Sequence, residues 1–380
     1  MKTSVTPLVR RRVALVADDL TGALDAAAPF ADAKAPVAVQ LAGAPLPAAR
    51  GSIAIDAATR GGTPAQAEAA AMRAAPLLRM ADTAFRKIDS LLRGHAAAEI
   101  AATARAGGFA SVIVAPAFPA QGRIMLQGRQ YARHADGAWR LVDRDLMAEL
   151  GACGLAPRSA IAADLAGGGV FVCDAEFDSD LAAIAAARSR LKLPVLWCGT
   201  SGLARALAHD LAGPAPLPTG PTLGVIGSPH PVTAAEIAAL EAADPAAVVR
   251  VASADAIDGA VAQAAHRLAQ GASVLVTLAL APQSAAEALA VLHRLAAGAI
   301  ALKPASLFAS GGDTLAALAR AAGADHLAVT GEAMPGLPLS RLVGGGWDGL
   351  AVLSKSGAFE GADILLQLFS GSKEAKRARA

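Results

Sequence analysis

Cysteine is scarce, and its placement excludes two kinds of site. The 380 residues hold three, Cys153, Cys173 and Cys198. None forms C-x-x-C and each lies in or beside an apolar run, so buried thiols in a reducing compartment are expected, not a disulfide framework or a zinc site. The N-terminus, with Pro7 and then Arg10-Arg11-Arg12, lacks the apolar core and cleavage site of a signal peptide. No apolar run reaches the ~18–20 uncharged residues of a membrane helix. A cytoplasmic protein without a membrane partner is the expectation. Net charge is +2, which gives no reason to expect nucleic acid. Also missing are G-x-x-x-x-G-K-[ST], H-E-x-x-H, G-x-S-x-G and any metal-spaced histidine cluster, so no metal ligand is assigned. The run from Gly344 to Gly349 matches G-x-G-x-x-G, but a strand is expected after it where a dinucleotide fingerprint needs a helix.

What remains is a chain rich in core. Hydrophobic residues make up 54% and charged residues 17%, and 380 residues exceed one ordinary core. Strand and helix signals alternate almost throughout, which predicts α/β architecture with largely parallel sheets covered on both faces. Thr63-Pro64 caps a helix reaching Arg79, and Gln130 to Arg140, with Asp136-Gly137 at its centre, reads as a β-hairpin. Residues 212–221, A-G-P-A-P-L-P-T-G-P, lose all periodicity and read as a linker. The expected organisation is therefore a domain over 1–211, the linker, and a second α/β domain over 222–380, with an active site in the cleft between them.

Charged residues gather where expected strands end, the place where open α/β sheets bind ligands. Phe85 to Gly94 opens as a strand and presents Arg86, Lys87, Asp89, Ser90 and Arg93, cations with a carboxylate and a hydroxyl, suited to an anionic, hydroxylated small molecule. Asp18-Asp19, before Thr21-Gly22, is either a pair for hydroxyl orientation and base catalysis or a plain helix cap. Asp56 to Arg60 adds Arg60 weakly. Pro116 to Arg123 is a proline-stiffened loop that offers Arg123. Beyond the linker, three loops join strands to helices: Gly227-Ser228-Pro229-His230, Ser310-Gly311-Gly312-Asp313-Thr314 and Ser354-Lys355-Ser356-Gly357. Glycine backbone and helix N-termini in such loops meet phosphate, and three of them in one domain point to a nucleotide site. Lys87 and Lys355 are two of only eight lysines.

Taken in order, Asp18 to Ala23, Lys87 to Gly94, Pro116 to Arg123, Gly227-Ser228, Gly311 to Thr314 and Lys355 to Gly357 resemble the signatures of the four-carbon acid sugar kinase family along nearly the whole chain. Two motifs depart from the family pattern: Leu91 stands where Thr is usual, and Ala358-Phe359-Glu360 where Gly-Phe-Gly is frequent. The resemblance implies an N-terminal domain for a tetronate and a C-terminal domain for ATP, with contacts at Ser228, at Gly311, Gly312, Asp313 and Thr314, and at Gly357. It implies ATP-dependent phosphorylation of threonate, erythronate or 3-dehydrotetronate, expected at O4. Lys355 is expected to neutralise phosphate charge. The sugar-acid carboxylate is expected among Arg60, Lys87, Arg93 and Arg123, with Ser90 beside them, and hydroxyl orientation or base catalysis among Asp18, Asp19 and Asp89. Mg²⁺ is expected with ATP, near Asp313 or through phosphates and water. A sugar-acid or nucleotide sensor without turnover, and a lyase or epimerase acting on a sugar acid, stay open as alternatives. A homodimer is not excluded.

Overall fold

The computed structural model of the chain describes residues 11–47, 51–134, 136–208, 213–227, 230–280, 284–357 and 363–370. The expected contacts at Ser228 and the departures at Ala358, Phe359 and Glu360 lie outside them. Contacts divide the described chain into two units, one of residues 11–16, 51–53 and 59–207, the other of 17–47, 54–58 and those from 208 onward. Both are α/β, and the strands are mostly parallel.

In the first unit, strands Thr83–Lys87, Val195–Gly199, Ser111–Ala115, Gly169–Cys173 and Pro157–Ala160 lie side by side in that order, every pair parallel. The central strands are buried on both faces, as their continuous apolar runs require. Phe85, Ile113 and Trp197 fill the layer between sheet and helices. Full burial of such side chains contributes about 1.5–3 kcal/mol each. Helix Pro64–Arg79 begins on a complete capping box, Thr63 with Gln66, so the expected cap is present. The expected hairpin is there as Arg129–Arg133 and Trp139–Leu141, antiparallel. A further strand, Arg123–Leu126, extends it to a three-stranded sheet. Cys173 and Cys198 are buried and unbridged, and burial pushes the Cys173 thiol up to about 12.

The second unit carries the order Val248–Val251, Val274–Leu278, Thr222–Ile226, Ser306–Ser310, Ala351–Lys355 in parallel. Leu337–Val343, His326–Met334 and Val37–Gln40 then continue the sheet antiparallel, which makes it mixed. Its core joins Ile226, Leu275, Leu353 and the edge-on pair Phe308–Phe369, 5.9 Å between centroids. The described part of the expected linker, 213–220, has no helix or strand.

The glycine-rich run at Gly344 connects two antiparallel strands and opens no helix. Its glycines serve packing. Gly345 has φ +71°, and a Cβ there would lie 1.9 Å from the Ala322 carbonyl oxygen. Helix Leu20–Ala27 tightens to a 3₁₀ turn at Ala28–Phe30, where Pro29 interrupts the α pattern.

Candidate active site

In the first unit three loops leave the carboxyl ends of adjacent strands. Lys87 ends its strand nearly buried, with Nζ donating to the Ile88 carbonyl at 2.9 Å, while the Ile88 amide donates to Gly199. Asp89 is the hub. Its carboxylate accepts from the Leu91 amide at 3.0 Å, the Arg93 amide at 3.2 Å, Arg93 Nε at 2.9 Å and Arg93 Nη2 at 2.7 Å. Arg60 Nη2 stands 3.6 Å away. Burial alone would raise the Asp89 carboxyl, but the hydrogen bond from Arg93 and the charges of Arg60, Arg93 and Lys87 outweigh it and hold the group well below the usual range. Asp89 is thus an ionised anchor for two cations, with its oxygens occupied. Leu91 contributes its backbone amide, so its departure from Thr leaves this contact in place.

The neighbouring loops are tied to this one. His95 Nε2 bonds the Gly62 carbonyl at 2.7 Å, and Thr59 Oγ1 donates to Glu99 Oε1 at 2.5 Å; Glu99 also pairs with the fully buried Arg86. Arg86 therefore serves the interior, although it neighbours Lys87 in sequence. Thr200 Oγ1 donates to Ala117 O at 2.6 Å, and Gln130 Nε2 to Ser90 O and Pro116 O. Arg123 starts its strand and donates to the Gln121 carbonyl. Lys87, Asp89, Ser90, Arg93, Arg60 and Arg123 are thus all carried by one cross-braced set of loops.

Asp18 and Asp19 belong to the other unit. Asp19 caps helix Leu20–Ala27, accepting from the Gly22 amide at 2.9 Å and from Thr21 Oγ1 at 2.7 Å. The cap reading of this corner therefore holds for Asp19. Asp56, which sequence reasoning passed over, is grouped with them. It is buried, accepts from the Ala58 amide at 2.9 Å, and its pKa is raised to about 6, by burial first and then by Asp19 and Asp18, against the opposing effects of that amide and of Arg320. Three acidic residues close in space could not be seen from positions 18, 19 and 56.

This corner touches the glycine loop. A Cβ built on Gly312 would sit 3.6 Å from the Thr21 amide nitrogen. Gly311 has φ +95° and ψ 141°, and helix Gly312–Ala321 begins on it, so the first-turn amides point out of the loop. Asp313 is exposed and Thr314 buried, with Oγ1 accepting from the Gly227 amide at 3.2 Å. The Gly311 amide donates to Lys355 O at 3.0 Å, and Thr233 Oγ1 to Gly357 O at 2.8 Å. The three loops read as phosphate-binding are thereby joined at the ends of three adjacent parallel strands. Lys355 is buried, and its ammonium bonds Glu236 Oε2 at 2.5 Å, a partner 119 positions away that sequence could not supply. Among the described residues no group of three or more His, Cys, Asp or Glu is arranged to hold a metal, and no helix is long and apolar enough to cross a membrane.

Residues 13–155 and 137–207 match the sugar-binding N-terminal domain family, and 223–365 match the nucleotide-binding C-terminal domain family. A D-threonate kinase of Cupriavidus necator is 33% identical over 95% of this chain and 98% of its own length. The chain belongs to the four-carbon acid sugar kinase family. A second D-threonate kinase, from Bordetella bronchiseptica, is 31% identical over 95% of the chain and 98% of its own. A solved structure from Salmonella typhimurium LT2 shares the fold with a TM-score of 0.74 at 21% identity, covering 94% of this chain and 98% of that one. In this member of the four-carbon acid sugar kinase family, the Asp89 hub lies in the sugar-binding match and the joined glycine loops in the nucleotide-binding one.

The Asp56 carboxyl makes stability depend on pH. Its folded pKa of about 6 lies above the ordinary aspartate value of 3.8, so the folded state binds the proton more tightly. The stability it contributes is full below about pH 4 and is lost as pH rises through 6, by at most about 3 kcal/mol. Asp56→Asn is therefore expected to raise Tm at pH 7.5 and to shrink that gain at pH 4.5. Thermal melts of both proteins at the two pH values check this, and an equal Tm difference at both would refute it.

Proposed function

We propose that the protein phosphorylates D-threonate with ATP at the terminal O4. The observation that carries the reading is the family match over the full chain with D-threonate kinases, on a molecule whose cation hub and glycine loops sit in the two matched domains. Lys87, Arg93, Arg60 and Arg123 are assigned to the substrate carboxylate, where a guanidinium grips two oxygens. Ser90 is assigned to a substrate hydroxyl. Asp89 is assigned to holding Arg93 and Arg60 in place. ATP, when bound, supplies the phosphoryl group. The Gly311–Thr314 loop and Gly357 cradle its phosphates, and Gly311, free of a Cβ at φ +95°, fits a close backbone approach. Ser228 keeps its assignment from the resemblance. Lys355 is assigned to phosphate charge, with Glu236 orienting its ammonium. Burial and the charges of Asp19 and Asp18 tune Asp56 toward neutrality, which suits a proton acceptor for the attacking hydroxyl. The described side chains do not form a cage for Mg²⁺. An ion arriving with ATP would take its ligands from phosphates and water.

The test is ADP release by the pure protein with D- and L-threonate, D- and L-erythronate and their 3-dehydro forms, with NMR of the product to locate the phosphate. The highest kcat/KM is expected for D-threonate, with phosphate on O4. No sugar-dependent ADP from folded protein would overturn the reading.

A further inference from the structure

The loops that carry Ser90 and Pro116 are held by one side chain. Gln130 lies in strand Arg129–Arg133, only 1% exposed. Its backbone is fixed by the ladder to Met125 and by the Val142 amide, which donates to its carbonyl at 2.8 Å. From that fixed point Nε2 donates to Ser90 O at 3.0 Å and to Pro116 O at 3.2 Å. The remaining polar atom, Oε1, is buried without a hydrogen-bond partner among the described residues. A buried acceptor left unpaired offsets what the two modest donor bonds contribute, so net stability does not account for a glutamine here.

Geometry does. One loop carries Lys87, Asp89 and Arg93, the other leads to Arg123, and the amide sets the separation between them. A carboxylate gripped from two loops is sensitive to that separation, because misplacement of about 1 Å is costly to an oriented complex. We infer that Gln130 is a positioning residue for the sugar-acid site, a two-ended clamp that fixes the Ser90 loop against the Pro116 loop; this rests on the reading of the first unit as the sugar-acid half.

The test is Gln130→Met, which keeps length and volume while removing both donors and the orphaned acceptor. Tm is expected to fall by no more than about 6 °C, since two carbonyls lose their donor while the orphaned acceptor is removed. KM for D-threonate is expected to rise by about tenfold or more, with kcat and KM for ATP unchanged. Hydrogen exchange is expected to quicken over 88–94 and 116–123 and nowhere in the central strands. Unchanged exchange in those loops would overturn the inference. So would an unchanged KM for the acid, or a collapse of Tm with exchange raised throughout the unit, which marks an ordinary core residue. Should the wild-type protein turn over no four-carbon acid, the functional reading fails, and loop exchange alone still decides the clamp.

Discussion

Asp89→Asn is expected to lower kcat/KM for D-threonate by about 10³-fold, roughly 4 kcal/mol of transition-state stabilisation, while KM for ATP stays put. The reason is the count of donors aimed at one carboxylate. Two backbone amides and two Arg93 nitrogens converge on it, with Arg60 at 3.6 Å. Asparagine keeps one acceptor oxygen and turns an NH₂ group toward a guanidinium. Arg93 is half exposed and stays hydrated without its partner, so the buried-pair cost does not apply in full and the loss falls on the placement of Arg93 and Arg60. The wild-type anchor persists through neutral and mildly acid solution. Its depressed pKa gives stability that is present above the unfolded value and lost only as pH falls through the folded one. Steady-state kinetics with each substrate varied in turn check the prediction; a matched rise in both KM values would count against it.

Gly311→Ala is expected to act on the other substrate, raising KM for ATP on the order of 10²-fold with KM for D-threonate little changed. At φ +95° and ψ 141° the backbone occupies a region that L side chains rarely adopt, at a strain of about 1–3 kcal/mol. The loop can relieve that strain only by rotating, which breaks the Gly311 amide bond to Lys355 O and re-aims the first-turn amides of helix Gly312–Ala321. Phosphate binding at a helix N-terminus depends on those amides pointing together. Nucleotide titrations of the variant check it, and unaltered affinity would remove this loop from the phosphate site.

Local chemistry was legible in the sequence and long-range chemistry was not. The helix start at Thr63-Pro64, the hairpin around Asp136-Gly137 and the three strand-to-helix glycine loops follow from residues within a few positions of each other. Such signals name an element but never its partner. Nothing in Val37–Gln40 announces that it pairs with His326–Met334, and nothing in Lys355 announces Glu236. The same limit hid Asp56, which sits at the end of an unremarkable strand until folding groups it with Asp18 and Asp19. Arg86 shows the converse. Adjacent to Lys87, it reads as part of the same cluster, but successive side chains on a strand face opposite ways, and Arg86 is spent on Glu99. Gln130 read as one letter of a hairpin because its bonds run to residues 40 and 14 positions away.

The division of labour between the two units is the centre of this account, and calorimetric titration tests it most directly. A non-hydrolysable ATP analogue and D-threonate are each titrated into folded wild type, Asp89→Asn and Gly311→Ala. The prediction is that Asp89→Asn keeps wild-type affinity for the analogue and loses D-threonate, while Gly311→Ala shows the reverse. Loss of both ligands in either folded variant would contradict it.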